Sequence, residues 1–357
     1  MIVTLLGDFK DDKRVSMDNY QDYLFNNFKK NKKILLKKII PVKSKIFKNI
    51  RYSRYVKYPN DIKNINSDLF HIIEDGYAHL IRSLDPARTI ISVHDLIPLV
   101  FWKKKFCLTK PPLFYLYSLS YLKLFKMIIA VSENTKNDLI KLCGIDEKKI
   151  TVIHNPIYNE YKIFSIRKKK LFKKKYKFDK NYFYILLVGK DFYKNHLRAL
   201  KVLSILKNDG FKIKIVKLGP KYDDWSKEVK KLRLESSIIY FSKHLSNHKI
   251  CEIYSICDLL FFPSLYEGFG LPVVEAMACG LPVAASMEGS LKEILGNYSF
   301  SIDPYDIYDM KKNLIKLIKH KDLRDKLINR GLKNCKRFSR NSFLKKYENI
   351  YNSFKKI

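Results

Sequence analysis

Short, nearly continuous apolar runs recur along both halves of this 357-residue chain, and a segment with helical periodicity follows each of them. Strands that read as unbroken apolar runs are typical of parallel sheets with helices on both faces. Predicted strands lie at residues 2–6, 89–93, 127–131 and 151–154 in the first half, and at 183–189, 212–219, 238–241, 259–262 and 282–285 in the second. The pattern predicts an α/β protein with two doubly wound domains.

Two glutamates, Glu267 and Glu275, stand at the ends of the segment Glu-Gly-Phe-Gly-Leu-Pro-Val-Val-Glu, directly after the predicted strand 259–262. Pro272 suits a first helical turn, and Gly280 suits the end of the same helix. Free N–H groups at a helix start favour an anion, whereas carboxylates accept hydrogen bonds from sugar hydroxyls. An ordinary turn with two solvated acids is the alternative. The density of turn residues argues against that alternative. A turn that favours anions and also carries two acids suits a ligand with a phosphate and many hydroxyls, such as a sugar nucleotide.

This segment resembles the signature of the retaining glycosyltransferases of family four, which have the GT-B fold. Other blocks resemble the same family in the same order, and together they cover roughly residues 70 to 350. These blocks lie at residues 91–99, 130–139, 152–156 and 187–195. The resemblance implies two doubly wound, Rossmann-like domains that face each other across a cleft.

The domain limits predicted from the pattern and the resemblance divide the chain into four parts. Residues 1–165 form an N-terminal, acceptor-side Rossmann-like domain, and residues 166–180 form a linker. Residues 181–335 form a C-terminal domain that binds the nucleotide sugar. Residues 336–357 form a helix that, by resemblance, packs back on the N-terminal domain.

The resemblance also implies a task for each site residue. Lys190 and Lys194 would neutralise the donor diphosphate; Lys194 matches the family closely, whereas Lys190 stands where arginine is frequent. Glu267 would lie nearest the transferred sugar, and Glu275 would accept hydrogen bonds from the ribose. The predicted catalytic residues are Glu267, Lys194 and His94, and the predicted donor-binding residues are Lys190, Lys194, Gly268, Phe269, Gly270, Leu271 and Glu275.

His94 follows a predicted strand and precedes Asp95, a position that favours a role in orienting the sugar or the acceptor. Ser132, Glu133 and Thr135 also follow a strand, but there a helix cap is the favoured interpretation.

The family resemblance implies transfer with retention of configuration. No second carboxylate is placed for a double displacement, so attack from the leaving-group side is expected, with a donor phosphate oxygen taking the acceptor's proton. No cofactor or metal is expected, because lysines and helix starts can stabilise a diphosphate and the sequence has no Asp-x-Asp motif. The block around His94 is most similar to mannosyl and related hexosyltransferases of surface polysaccharide assembly. A glycan or a lipid-linked molecule is the expected acceptor.

The net charge of +35 has two interpretations. Genome composition can produce it without selection, and attraction to anionic lipid can explain it functionally. Residues 29–38 are rich in lysine, and residues 102–106 and 112–125 add aromatic side chains. Together they combine cations with aromatics, as membrane interfaces do, although a core helix explains the last stretch equally well. No nucleic-acid-binding motif is present.

The chain carries six cysteines without Cys-x-x-Cys spacing, and it has no recognisable signal peptide or apolar run long enough to span a membrane. We therefore predict a cytoplasmic protein that contacts the cytoplasmic face of a membrane peripherally.

Two other classes of protein are alternatives to a transferase. A nicotinamide-dependent oxidoreductase requires Gly-x-Gly-x-x-Gly after a strand, which neither half has. A non-catalytic basic scaffold on membrane or nucleic acid explains the charge but gives the Glu267 segment no purpose. The sequence also departs from the family, because residues 8–17 replace its glycine loop and Arg340 replaces a common tryptophan.

Overall fold

The computed structural model describes residues 1–9, 15–29, 31–44, 49–103, 110–241 and 245–356. The chain forms two compact units, one of Met1–Asn155 with Arg340–Ile357 and the other of Pro156–Ser339. Several residues named above lie outside the described ranges: residues 10–14 of the replaced loop, Lys30, residues 104–106 and Cys107.

The strands of the described residues are β1 (Ile2–Leu6), β2 (Leu35–Ile39), β3 (Leu69–Ile72), β4 (Thr89–Val93), β5 (Met127–Ala130), β6 (Ile150–Val152), β7 (Phe183–Val188), β8 (Ile213–Leu218), β9 (Ile238–Phe241), β10 (Leu259–Phe262), β11 (Val283–Ala285) and β12 (Phe300–Ser301). The α-helices are α1 (Val15–Phe28), α2 (Ile50–Tyr52), α3 (Tyr58–Ile62), α4 (Ile97–Lys103), α5 (Leu113–Ser120), α6 (Glu133–Cys143), α7 (Ile166–Lys175), α8 (His196–Asn208), α9 (Asp223–Lys231), α10 (Asn247–Ile256), α11 (Leu271–Ala278), α12 (Leu291–Leu295), α13 (Ile307–Lys319), α14 (Lys321–Cys335) and α15 (Arg340–Ser353).

Each unit contains one sheet, and in the described ranges both sheets have six strands that pair only in parallel. The first has the order β2-β1-β3-β4-β5-β6, and the second has the order β12-β11-β10-β7-β8-β9. In the second sheet, β7 to β9 follow one another towards one edge and β10 to β12 towards the other, so the strand order reverses between β7 and β10. Ligands of open α/β sheets bind beyond the carboxyl ends of strands at such a reversal.

Three strands were not predicted from the sequence, namely β2, β3 and β12. Strand β2 is an edge strand in which only Leu36 is buried, and the lysines around it obscured the signal. Most of it falls in the stretch 29–38, for which a membrane interface is one interpretation of the sequence, and Lys38 pairs with Asp22 of α1. Part of that basic stretch is thus an ordinary sheet edge.

The boundary between the units falls at Asn155 rather than near residue 165, and residues 166–180 lie inside the second unit. Packing accounts for the difference. Phe178 is buried and stacks on Tyr184 of β7 with ring centroids 4.0 Å apart, and Lys175 at the end of α7 pairs with Glu252 of α10 at 2.6 Å. Likewise, residues 336–339 belong to the second unit, where Phe338 is buried against Phe269.

Helix α15 completes the core of the first unit. Phe343, Tyr347 and Tyr351 of this helix join the buried cluster that contains Val3 and Leu5 of β1. Within the described ranges, no helix has both the length and the apolar character that crossing a bilayer requires.

A buried polar network ties α15 to the sheet of the first unit. The His71 side chain on β3 is fully buried, with Nδ1 2.9 Å from the Tyr351 hydroxyl and Nε2 2.8 Å from the Ser92 hydroxyl. Tyr20 of α1 bonds the Tyr347 hydroxyl and lies 3.3 Å from Ser92. Burial lowers the pKa of His71 to about 3, and the nearby His94 acts in the same direction. The imidazole is therefore neutral in the folded protein near pH 7.

This network predicts a pH-dependent stability for the first unit. Since the folded pKa lies below the ordinary value, the unfolded chain takes up the proton first as the pH falls. His71 therefore lowers the free energy of unfolding by about 1.4 kcal/mol for each unit by which the pH falls between about pH 6.5 and about pH 3. His71→Gln should remove that part of the slope. The pH slope of stability is measured by urea unfolding. Trp225→Phe removes the tryptophan of the second unit, so the fluorescence of Trp102 then reports on the first unit.

The matched control is His320→Gln, which replaces an exposed histidine of the second unit and should leave the slope unchanged. Equal slopes for His71→Gln and the parent protein would show that the buried imidazole does not control acid stability.

Candidate functional site

Lys194 and Glu267 form a buried ion pair at the point where the strand order of the second sheet reverses, between β7 and β10. Lys194 Nζ lies 2.7 Å from Glu267 Oε1, and the two side chains are 10% and 7% exposed. Lys194 belongs to the loop after β7, and Glu267 belongs to the turn after β10. The two loops are also joined by the Leu265 N–H, which donates to the Tyr193 carbonyl at 2.7 Å. The structure thus brings together two of the residues that the sequence assigned to one site.

Aromatic rings surround the buried ammonium group. Lys194 Nζ lies 4.9 Å from the centre of the Phe262 ring and 5.2 Å from that of Tyr193. Its side chain folds over Gly189, where an added Cβ would lie 3.1 Å from Lys194 Cε. Ring faces attract a cation in a site with little water. The ammonium group is therefore held in one position at the carboxyl ends of β7 and β10.

The turn before α11 has a backbone conformation that favours glycine. Gly270 precedes the helix with a φ of +90°, and an added Cβ would lie 2.6 Å from Leu291 Cδ2. Gly289, from the segment after β11, has a φ of +59° and lies so close to Glu267 that a Cβ would be 2.7 Å from its carbonyl oxygen. The next residue, Ser290, donates its N–H to the same carbonyl at 3.1 Å. The turn before α11 and the segment that carries Gly289 and Ser290 therefore fix the backbone around Glu267.

Glu275 lies on α11 and is partly buried. Burial raises the pKa of its carboxyl group to about 7, while hydrogen bonds from Tyr161 and Tyr254 and the charge of Lys194 oppose that rise. The Tyr254 hydroxyl donates to Oε2 at 3.1 Å. The two tyrosines orient this carboxylate, and the sequence did not indicate either of them.

The remaining donor-site candidates differ in exposure. Lys190 is exposed, whereas Gly268 and Phe269 are buried and Leu271 is partly buried at the start of α11. Lys190 lies on the same loop as Lys194, and the other three follow Glu267 in the turn and at the start of α11. Their predicted contacts with a donor stay predictions.

His94 belongs to the first unit, directly after β4. Its Nε2 lies 3.0 Å from the Ile73 carbonyl, so this nitrogen carries the proton and donates. The Tyr20 ring meets the imidazole edge-on, with centroids 4.7 Å apart. Asp95 accepts the Ile97 N–H at 3.0 Å and so caps α4. A role of His94 in catalysis stays a prediction.

The block around Ser132 caps a helix, as predicted from the sequence. The Ser132 hydroxyl accepts the Thr135 N–H at 3.0 Å, and Glu133 opens α6.

Lys217 was not singled out by the sequence, although it is fully buried on β8 and donates to the Gly189 carbonyl. The signal was its position, since strand residues two apart share a face and Lys217 continues the face of Ile213 and Ile215. Its lysine side chain interrupts the apolar residues of that face, and this interruption is visible in the sequence.

An open groove of about 610 Å³ lies on the first unit, far along the chain from these loops, and its lining includes Asp68, Asp85 and Arg88. Asp68 accepts the Ile2 N–H at 2.6 Å, and Asp85 accepts the Ala87 N–H at 2.8 Å. These acids maintain local backbone structure at the amino ends of strands, whereas ligands of such sheets bind at the carboxyl ends.

Among the described residues, no three His, Cys, Asp or Glu side chains are grouped so that they could hold a metal ion.

Comparison with protein-family models gives two matches. Residues 26–160 match the model described as Glycosyltransferase Family 4, and residues 168–334 match the model described as Glycosyl transferases group 1.

Two curated relatives are mannosyltransferases. The serotype-specific mannosyltransferase WbdA of Escherichia coli is 26% identical over 298 residues, which cover 76% of this chain and 34% of that protein. The O-antigen chain mannosyltransferase RfbU of Salmonella typhimurium (strain LT2) is 29% identical over 217 residues, covering 60% of this chain and 57% of that protein. The chain spans about a third of the length of the curated relatives it matches first.

Solved structures are similar over the whole fold. HepE of Anabaena, in its complex with UDP-glucose, superposes with a TM-score of 0.75 at 16% sequence identity, covering 99% of this chain and 100% of that one. The likeness confirms the predicted fold class, a GT-B type with two doubly wound Rossmann-like domains.

Gly270→Ala tests whether the turn before α11 depends on glycine. The left-handed φ alone costs an alanine about 1–2 kcal/mol, and the clash with Leu291 adds to that cost. Gly210→Ala is the matched control, since Gly210 has a φ of +87° but no atom within 4 Å of an added Cβ. Urea unfolding should therefore show a larger loss of stability for Gly270→Ala. Equal losses would mean that the turn can move away from Leu291 at no cost.

Proposed function

Because the chain belongs to glycosyltransferase family four, we propose that it transfers a hexose from a nucleotide diphosphate sugar to a glycan or a lipid-linked acceptor, with retention of configuration. Surface polysaccharide assembly is the process that such a transfer serves, in keeping with the names of WbdA and RfbU. Mannose is the favoured sugar because both relatives are named mannosyltransferases.

The buried pair of Lys194 and Glu267 is the observation that carries this proposal. A nucleotide sugar offers one partner to each member of the pair. Its diphosphate attracts the ammonium group, and its sugar hydroxyls donate to the carboxylate. Both groups sit at the strand reversal where open α/β sheets bind ligands.

The surrounding residues complete the donor site in this proposal. Backbone N–H groups of the turn from Gly268 to Leu271, at the start of α11, bind the sugar and the phosphate. Glu275 accepts from the ribose hydroxyls, and Lys190 adds a second cation near the diphosphate. Stabilising the charge that grows on the leaving diphosphate lowers the barrier to transfer. No metal or other cofactor takes part.

The acceptor hydroxyl attacks the anomeric carbon from the side of the leaving diphosphate. The bond from that carbon to the phosphate oxygen breaks as the bond to the acceptor oxygen forms on the same face. The acceptor's proton passes to a donor phosphate oxygen. In this proposal His94 orients the acceptor or the sugar, and Glu267 holds sugar hydroxyls rather than acting as a nucleophile, since its carboxylate is paired with Lys194.

Glu267→Gln tests the assignment of the sugar contact. The amide is nearly isosteric but uncharged, so transfer should fall by about 10²–10³-fold, the usual effect of removing one electrostatic contact made in the transition state. Product formation from GDP-mannose and UDP-glucose with a polysaccharide or lipid-linked acceptor measures it. Glu235→Gln, at an exposed position of the same unit, is the control and should keep full activity. Unchanged turnover in Glu267→Gln would remove this residue from the site.

The product also tests the stereochemistry. NMR of the new linkage should show the anomeric configuration of the donor, and an inverted anomer would overturn the proposed direction of attack.

A peripheral contact with anionic lipid, at the cytoplasmic face of a membrane, belongs to the same proposal. The first unit carries an α5 patch, which we define as Arg51, Tyr55, Val56, Leu113 and Phe114. The Arg51 guanidinium lies 4.8 Å from the centre of the Phe114 ring, and Tyr55 stacks on the same ring at 5.1 Å. Leu113 is 72% exposed and Phe114 is 41% exposed. Exposed aromatic and aliphatic groups beside cations suit a lipid interface.

The stretch 112–125 therefore serves two purposes in the fold. Ser118, Leu119 and Leu122 are buried, as a core helix requires, while the first turn of α5 faces solvent.

Leu113→Glu with Phe114→Glu tests the patch. Flotation with phosphatidylglycerol vesicles at low salt should fall in the double variant, because two carboxylates replace apolar contacts and are repelled by the anionic surface. Ile166→Glu with Tyr308→Glu is the matched control, since it adds the same charge at two exposed apolar positions of the second unit. Equal flotation of the two double variants would exclude the α5 patch as the contact.

A further inference from the structure

Lys217 lies on β8, between β7 and the edge strand β9 of the second sheet, and has no carboxylate partner in the described part of the chain. It pairs with Leu187 of β7 and Tyr240 of β9, and none of its surface is exposed. Burying an ammonium group is costly unless other groups replace its water. A fully buried lysine without a carboxylate partner therefore requires a specific explanation.

The groups that face Lys217 come from three neighbouring elements and the loop after β7. Its ammonium group donates to the Gly189 carbonyl and lies 5.2 Å from the centre of the Trp225 ring of α9. The loop brings the opposite charge of Asp191 and the like charge of Lys194 near it, and both affect its protonation. Two other titratable groups lie beside it, His196 of α8 and Tyr240 of β9, and Tyr222 before α9 lies 6.3 Å from the Trp225 ring.

The bond to Gly189 fixes the orientation of one peptide plane. In a trans peptide the carbonyl and the following N–H point in opposite directions. Since the Gly189 carbonyl points inward to Lys217, the Lys190 N–H points away from it. In the described residues that N–H donates to no hydrogen-bond acceptor. The plane thus presents a free backbone donor on the loop that carries Lys190 and Lys194.

Two glycines allow this arrangement. Gly189 has a φ of +98°, and its N–H donates to the Leu218 carbonyl at 2.9 Å. Gly219 has a φ of +122°, and an added Cβ there would lie 3.1 Å from the Gly189 carbonyl oxygen. The loop after β7 and the end of β8 therefore lie in direct contact around the atom that Lys217 binds.

We propose that Lys217 is a positioning residue of the donor site, which holds the peptide between Gly189 and Lys190 so that its N–H faces the donor diphosphate and which adds a positive charge behind the loop. This inference rests on the proposed function. It gives a role to Lys217, which lies outside the segments that resemble the family. It also predicts that donor binding and the protonation of Lys217 are coupled.

The direction of that coupling follows from the surroundings of the ammonium group. Burial lowers the pKa of Lys217 to about 7; Lys194 lowers it further, and Asp191 opposes the shift. A bound diphosphate stabilises the charged form, so it raises this pKa and a proton is taken up when the donor binds. Donor affinity is therefore higher below about pH 7 and decreases as the pH rises and Lys217 loses its charge. Glu275 titrates in the same range, so the comparison must be made between variants that keep it.

Lys217→Met tests the proposal by removing the ammonium group while keeping the length of the side chain. The affinity for GDP-mannose or UDP-glucose, measured by calorimetry at pH 6.5, should fall by about tenfold or more, as expected for a lost charge-assisted contact. Proton uptake, obtained from binding heats in two buffers of different ionisation enthalpy at pH 7.5–8, should be smaller than in the parent protein. A purely structural role would not change the proton count.

Two further variants separate position from charge. Lys217→Gln can still donate to the Gly189 carbonyl, so it should recover part of the affinity but none of the proton uptake. Lys214→Met is the matched control on the opposite face of β8, where Lys214 Nζ bonds the Ser236 carbonyl at 2.7 Å; it should behave as the parent protein.

The outcomes distinguish the two proposals. If the parent protein binds neither nucleotide sugar, the proposed function and this inference both fail. If the parent binds but Lys217→Met and Lys217→Gln, each folded by thermal unfolding, match it in affinity and proton uptake, only the role of Lys217 is overturned. A loss of affinity without any change in proton uptake would also overturn it, because a packing defect would then explain the loss.

Discussion

The buried contact between Lys194 and Glu267 is the interaction on which the arrangement of the second unit's loops depends. Either charge alone would be costly at that depth, because few water molecules can reach it. Each residue therefore requires the other, and each comes from a different strand on the two sides of the reversal in the sheet. The contact joins the loop after β7 to the turn after β10. In the structure the two charges compensate each other.

The supporting residues share one property, which is that they leave little freedom to the backbone around this pair. Gly270 and Gly289 adopt conformations that other residues rarely adopt, and neighbouring atoms occupy the space of a side chain at both positions. Tyr161 and Tyr254 orient the Glu275 carboxylate. Neighbouring atoms therefore constrain the backbone on both sides of Glu267.

Sequence reasoning predicted the parts of this structure that depend on local signals. Strands β1 and β10 are apolar runs with clear ends, and the block around Ser132 carries its own helix cap. Strand β3 was not predicted because it contains His71, whose hydrogen-bond partners Ser92 and Tyr351 lie far along the chain. Lys217 escaped for the same reason, since its partner at Gly189 becomes a neighbour only once the sheet has formed.

The first unit is built from two separate segments of the chain, and this affects how it folds during synthesis. The ribosome must make all of residues 156–339 before α15 emerges. Until then the nascent first sheet carries an imidazole on β3 without the Tyr351 hydroxyl, and Tyr20 lacks Tyr347. The N-terminal portion therefore waits in an incomplete state while the second unit, whose strands are contiguous in the chain, can finish folding first.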